Sequence, residues 1–148
     1  MRKSFWIVSV SVLILLGLVL VAIALWPKPT SPAGETRVSV SGGAYTDVTP
    51  GRLADMLKRK DFIFINTHIP YEGELEQTDA FIPFEENGPQ QLREYPTDKN
   101  AKIILYCRSG RMSTIVASEL AQAGYTNVWN LDGGMKAWEQ AGFELIQK

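Results

Sequence analysis

The stretch that decides the fold runs from Lys102 to Met112 and reads Lys-Ile-Ile-Leu-Tyr-Cys-Arg-Ser-Gly-Arg-Met. Its first half, up to Tyr106, is an apolar, β-rich run that is typical of a strand buried on both faces of a parallel sheet. From Ser113 to Ala123 the apolar residues recur at helical spacing, and a glycine follows where a helix would end. The stretch therefore predicts a strand, a short loop and a helix in direct succession.

The sequence on either side continues this alternation of strands and helices. Strands are predicted at 45–48, 62–65, 102–106 and 127–131, and helices at 50–59, near 90–95, at 113–123 and at 135–141. A polar loop at 67–77 and an apolar return to the core at 80–84 separate the second strand from the third. This order predicts an α/β domain with a mainly parallel central sheet and helices on both faces.

Cys107 is the single cysteine of the chain and follows the predicted strand directly. Ligands bind beyond the carboxyl ends of the strands in such sheets, and unpaired N–H groups at a helix start favour an anionic sulfur. Arg108 and Arg111 add positive charge, while the small Ser109 and Gly110 allow the loop amides to converge on one point. An inert buried cysteine is the alternative interpretation, but it does not explain these four neighbours. We therefore interpret Cys107 as a nucleophile.

Two segments resemble motifs of the rhodanese family. Tyr-Cys-Arg-Ser-Gly-Arg-Met-Ser at 106–113 resembles its active-site loop, and Leu-Asp-Gly-Gly-Met-Lys-Ala-Trp at 131–138 is similar to its carboxyl-terminal signature. Weaker matches at 45–50 and 81–84 precede these motifs in the same order as in the family, so the resemblance covers about residues 45–148. It implies the rhodanese-like fold and a sulfurtransferase that carries sulfane sulfur from thiosulfate or a persulfide donor to a thiol or cyanide acceptor.

The resemblance also implies which residues form the site. The nucleophile, carried as a persulfide during the reaction, is Cys107. The donor-binding loop consists of the next five residues, without a metal or a cofactor: Arg108, Ser109, Gly110, Arg111 and Met112.

Three departures from the family pattern leave the donor open. Many members carry arginine at the position of Met112, and the usual Asp-x-Arg after the second strand reads Asn66-Thr67-His68 here. The segment 68–74 also differs from the usual pattern. A second interpretation therefore remains, in which the domain is a non-catalytic rhodanese-like module that binds a partner protein at the outer face of the membrane, to which the amino-terminal segment described below would anchor it.

Two other chemistries are less well matched by the residues. A phosphatase of the related Cdc25 type requires an arginine six positions after the cysteine, where this chain has Ser113, so nothing would grip a phosphate bidentately. His68 with Glu72 and Glu74 is weak evidence for a metal site, and a loop histidine is the simpler interpretation.

The amino-terminal segment predicts a membrane anchor. Residues 5–26 contain no charged side chain, and a run of about 20 apolar residues is long enough to cross a bilayer. Arg2 and Lys3 precede the run, which predicts a cytoplasmic amino terminus and an extracytoplasmic domain. A cleaved signal peptide is the alternative, because Ala22-Ile23-Ala24 has the spacing that signal peptidase accepts. The predicted organisation is an anchor or uncleaved signal segment at 1–26, a Pro-rich linker at 27–37 and a rhodanese-like domain at 38–148.

Composition limits the partners. The net charge of −1 over 148 residues offers no broad basic surface for nucleic acid, and a single cysteine allows no intrachain disulfide. The expected partners are the small-molecule sulfur donor and acceptor that the resemblance implies, together with the membrane through residues 5–26.

Overall fold

The computed structural model describes residues 33–85 and 91–147. The predicted membrane span and most of the predicted linker lie outside this part of the chain, so the anchor stays a prediction. Within the described ranges, no helix has the length and apolar character needed to cross a bilayer.

The described residues form a six-stranded sheet with strand order β1-β2-β6-β5-β3-β4. In chain order the elements are β1 Glu35–Val40, β2 Gly43–Val48, α1 Pro50–Leu57, β3 Ile63–Asn66, β4 Ala80–Phe81, a 3-10 helix Gln91–Glu94, β5 Ile103–Tyr106, α2 Arg111–Gln122, β6 Val128–Leu131 and α3 Gly134–Gln140. All neighbouring strands are parallel except β1 and β2. The prediction of an α/β domain with a mainly parallel sheet is confirmed.

The strand β1 was not predicted from the sequence. It begins at Glu35, within the segment predicted to be linker, and runs antiparallel to β2 with Glu35 opposite Val48. β1 is an edge strand whose side chains are mostly exposed or half-buried, so it lacks the apolar run that marks a central strand. Backbone pairing with β2 and an ion pair of 2.8 Å between Glu35 Oε1 and Arg52 Nε hold it instead.

Apolar residues cover both faces of the sheet, because successive side chains of a strand point to opposite sides. On one face, Ile103 and Leu105 of β5 pack with buried residues of α2, which are Val116, Ala117 and Leu120. On the other face, Ile104 and Tyr106 pack with Leu53 and Met56 of α1 and with Met135 and Trp138 of α3. Helices therefore lie on both faces, as predicted, and β5 passes through the middle of the core.

The start of α1 is capped by Thr49. The Thr49 side-chain oxygen accepts a hydrogen bond of 3.4 Å from the Arg52 amide, and Pro50 occupies the first helical position, where a missing N–H costs nothing. This cap fixes the turn that follows β2.

Candidate active site

Cys107 lies at the carboxyl end of β5, between β6 and β3 in the middle of the sheet. It is 1% exposed. The loop to α2 ends at Gly110, whose φ of 86° lies in the left-handed region that favours glycine. The four-residue strand thus leads into a helix through a very short turn, as the sequence pattern predicted.

The amino-terminal end of α3 holds the carbonyl groups of this loop. The Met135 amide donates to the Cys107 oxygen at 2.9 Å, and the Lys136 amide donates to the Arg108 oxygen at 3.0 Å. Within the described part of the chain, the amides of Arg108, Ser109 and Gly110 donate to no backbone carbonyl. The first amides of α2 also lack intrahelical acceptors, as in any α-helix. The loop therefore offers a set of N–H donors suited to an anion.

Gly134 makes the close approach between α3 and the loop possible. A Cβ atom at this position would lie 2.2 Å from the Cys107 oxygen and 2.8 Å from the Gly110 nitrogen, and the backbone has a φ of +59°. In the sequence, Gly133 and Gly134 were noted only as part of the carboxyl-terminal motif at 131–138. The structure adds that Gly134 is a packing position for the reactive loop, and the paired glycines at the start of a helix were the available signal.

Ser113 is a second residue whose role the sequence did not reveal. Its buried hydroxyl donates to the Gly110 oxygen at 3.1 Å and lies within hydrogen-bonding distance, 3.6 Å, of Cys107 Sγ. The residue that replaces the phosphatase arginine is therefore in direct contact with the sulfur.

The two arginines of the loop have different surroundings. Arg108 forms an ion pair with Glu72. Arg111 is exposed at the first position of α2, and within residues 33–85 and 91–147 no carboxylate lies within 4.0 Å of it. Of the two cations, Arg111 is thus the one left for an incoming anion.

Ser109 and Met112 complete the predicted loop. Ser109 is exposed, whereas Met112 is half-buried and packs against the apolar cluster on the α2 face of the sheet. The side chain of Met112 thus contributes to the packing of α2, while its backbone amide lies in the first turn of that helix.

Asn66 organises the segment that carries Glu72. Its side chain is fully buried, its oxygen accepts from the His68 amide at 2.9 Å, and its nitrogen donates to the Gly73 oxygen at 3.1 Å. An aspartate could accept the first hydrogen bond but could not donate the second. Asparagine at position 66, where the family pattern usually has aspartate, therefore suits the two hydrogen bonds that this loop requires.

His68 lies beside the Arg108–Glu72 ion pair and is shielded from solvent. It is buried, and its Nε2 atom lies 3.4 Å from the Glu72 Oε2 atom. Neither ring nitrogen has a hydrogen bond of good geometry to the described residues. Those residues also contain no group of three or more histidine, cysteine, aspartate or glutamate side chains placed to hold a metal ion.

Tyr106 ties the reactive strand to the same segment. Its hydroxyl accepts from the Leu75 amide at 3.0 Å and lies 2.7 Å from Thr78 Oγ1. Because the Thr78 hydroxyl donates to the Leu75 oxygen, Tyr106 is the donor in its contact with Thr78. Burial raises the pKa of Tyr106 well above its ordinary value, so the hydroxyl keeps the proton that this arrangement requires.

The fold and this site define an α/β protein in which a single cysteine lies in the short loop between a strand and a helix, beside the unpaired backbone amides of that loop. The sequence profile of the rhodanese-like domain matches residues 49–141. The chain belongs to the rhodanese-like domain family.

Individual relatives agree with the family but carry different names. The chain is 30% identical over 112 residues to an uncharacterised protein of Synechocystis, covering 73% of this chain and 61% of that protein. It is 24% identical over 102 residues to the thiosulfate sulfurtransferase GlpE of Actinobacillus succinogenes, covering 69% of this chain and 91% of GlpE. A tRNA uridine(34) hydroxylase of Wolbachia is 25% identical over 100 residues, which are 65% of this chain and 36% of that enzyme.

A solved structure supports the fold. The rhodanese-like domain protein of Staphylococcus aureus superposes with a TM-score of 0.54 at 25% identity, covering 68% of this chain and 98% of that one. The chain spans 61% of the Synechocystis protein and a smaller part of the hydroxylase. Because the same domain occurs in proteins with different named activities, membership in the family does not fix the reaction.

Proposed function

We propose that this protein is a sulfurtransferase in which Cys107 carries sulfane sulfur as a persulfide. The main support for the proposal is the loop after β5. Its Cys107 and Arg108 carbonyl groups accept hydrogen bonds from α3, and its amides, which have no backbone acceptor among the described residues, are available to an anion. A thiolate, and then the terminal sulfur of a persulfide, is the anion that Cys107 would place among those donors.

The transfer consists of two balanced displacements. The Cys107 thiolate attacks the outer sulfur of thiosulfate, a new S–S bond forms, the S–S bond of the donor breaks, and sulfite leaves with the bonding electron pair. Cyanide or a thiolate then attacks the terminal sulfur, which yields thiocyanate or a new persulfide and restores the Cys107 thiolate. Neither displacement needs a metal, a cofactor or an external oxidant.

The direct test is mass spectrometry of the protein after treatment with thiosulfate. We expect a gain of about 32 Da, one sulfur atom, located on the peptide that contains Cys107 and removed by cyanide. Protein whose thiol has first been alkylated provides the control and should gain nothing. An unmodified peptide after treatment with both thiosulfate and a low-molecular-weight persulfide would contradict the proposal.

A non-catalytic binding module is the second candidate function. It is favoured by the Arg108–Glu72 ion pair, which reduces the charge available for a donor, and by the low exposure of Cys107. The same experiment separates the two functions, because a module with an unused cysteine would form no persulfide that cyanide can discharge.

We also propose that residues 5–26 anchor the protein in the cell membrane with the domain on the extracytoplasmic side. The support is the uncharged apolar run and the basic residues that precede it. Fractionation of cells that express the full chain should place it with membranes, and external protease should digest the domain in intact spheroplasts. Recovery of a soluble form that begins near Leu25 would instead establish a cleaved signal peptide.

A further inference from the structure

Glu72 lies next to the reactive loop but has no role in the proposed reaction. Its carboxylate forms an ion pair with Arg108, the residue directly after Cys107, and the same oxygen lies 3.4 Å from His68 Nε2. A negative charge is therefore held beside a loop whose other features favour anions.

The position of Glu72 is fixed by the backbone that follows it. The Gly73 oxygen accepts from the buried Asn66 side chain, and Glu74 and Ile146 exchange two backbone hydrogen bonds of 2.8 Å. Gly73 has a φ of +95°, and a Cβ there would lie 2.5 Å from Gln147 Nε2. The path of this segment is therefore set on both sides, and the contacts of the Glu72 carboxylate with Arg108 and His68 keep its charge next to the reactive loop.

The charges around the loop decide which donors approach easily. With Arg108 compensated by Glu72, the carboxylate opposes the attraction exerted by Arg111. The repulsion between Glu72 and a donor is proportional to the charge of the donor. A dianion such as thiosulfate is therefore penalised twice as strongly, in free energy, as a monoanion that binds in the same place.

We propose that Glu72 is a specificity-determining residue that selects against dianionic sulfur donors in favour of donors with less negative charge beside the transferred sulfur. This inference rests on the proposed sulfurtransferase function and names its substrate class. The preferred donor is a persulfide or thiosulfonate of low charge, and thiosulfate is a poorer one.

A matched pair of donors makes the inference measurable. Thiosulfate carries two negative charges and releases sulfite, whereas methanethiosulfonate carries one and releases methanesulfinate. In both reactions the Cys107 thiolate forms an S–S bond to the outer sulfur, the donor S–S bond breaks, and the sulfur oxyanion leaves with the electron pair. The two donors thus differ chiefly in charge.

The test is the second-order rate of persulfide formation at Cys107 in the Glu72→Gln variant at low ionic strength. We expect the rate to rise about two- to threefold with methanethiosulfonate and, since the energy scales with charge, about four- to ninefold with thiosulfate. The thiosulfate-to-methanethiosulfonate rate ratio should rise accordingly and fall back toward the wild-type ratio as salt is added. Glu72 is partly exposed and glutamine has the same shape, so melting should change little.

Glu76→Gln is the matched control, since Glu76 is exposed on the same segment and has no ion pair among the described residues. Its rate ratio should equal that of the wild type. An unchanged ratio in Glu72→Gln, or an equal rise in Glu76→Gln, would overturn the inference while leaving the proposed function intact. Failure of the wild-type protein to form a persulfide with either donor would overturn the proposed function, and the inference with it.

Discussion

Replacing Cys107 with serine is expected to reduce sulfur transfer from thiosulfate to cyanide by about a thousandfold or more, to the level without protein. A serine hydroxyl cannot form the S–S bond that carries the transferred sulfur. The fold should tolerate the change, because serine is nearly the same size and shape as cysteine and its hydroxyl can use the same loop amides. We expect the free energy of unfolding to change by about 1 kcal/mol or less.

Two measurements on the same preparation separate loss of chemistry from loss of structure. Thiocyanate production reports the transfer, and denaturant unfolding monitored by tryptophan fluorescence reports stability, since Trp138 is buried against α1 in the core. Transfer that persists in Cys107→Ser would show that the nucleophile lies elsewhere. A variant that is inactive only because it is unfolded would be recognised by its missing unfolding transition.

Replacing Gly134 with alanine is expected to lower the free energy of unfolding by about 3–5 kcal/mol and to impair transfer even in the folded fraction. The new Cβ would lie 2.2 Å from the Cys107 oxygen, so either α3 or the reactive loop must move. Such a shift would lengthen the hydrogen bonds of Met135 and Lys136 to the loop carbonyls. The prediction is checked by denaturant unfolding and by the rate of persulfide formation.

Gly142→Ala provides the control for backbone strain. Gly142 also has a positive φ, +87°, but an added Cβ would meet nothing within 4 Å. Its replacement should cost only about 1–2 kcal/mol and leave persulfide formation unchanged. If the two glycine variants were equally destabilised and equally active, the close approach of Gly134 to the loop would have no special importance.

The strand, loop and helix around Cys107 could be predicted because their signals are local. The apolar run of β5, the small residues of the loop and the helical spacing of α2 are all read within a window of about 20 residues. The mainly parallel sheet followed from the order of such units. Patterns that repeat along the chain thus determine most of the architecture.

The features that escaped prediction depend on residues distant in sequence. β1 is stabilised by pairing with β2 and has a weak apolar pattern of its own. The ion pair of Arg108 with Glu72 joins residues 36 positions apart, and the contact of Gly134 with the loop requires α3 to be in place. The sequence pointed to Glu72 and His68 as loop residues but carried no signal of what they contact.

The antiparallel direction of β1 has a practical consequence for labelling the protein near its first strand. Because Glu35 pairs with Val48, β1 begins on the side of the sheet where the parallel strands end and where β5 leads into Cys107. The two positions are separated by three strand spacings, roughly 14 Å. We therefore expect a dye or other bulky group attached at the start of β1 to lie close to Cys107, to hinder the approach of large substrates and to respond to their binding.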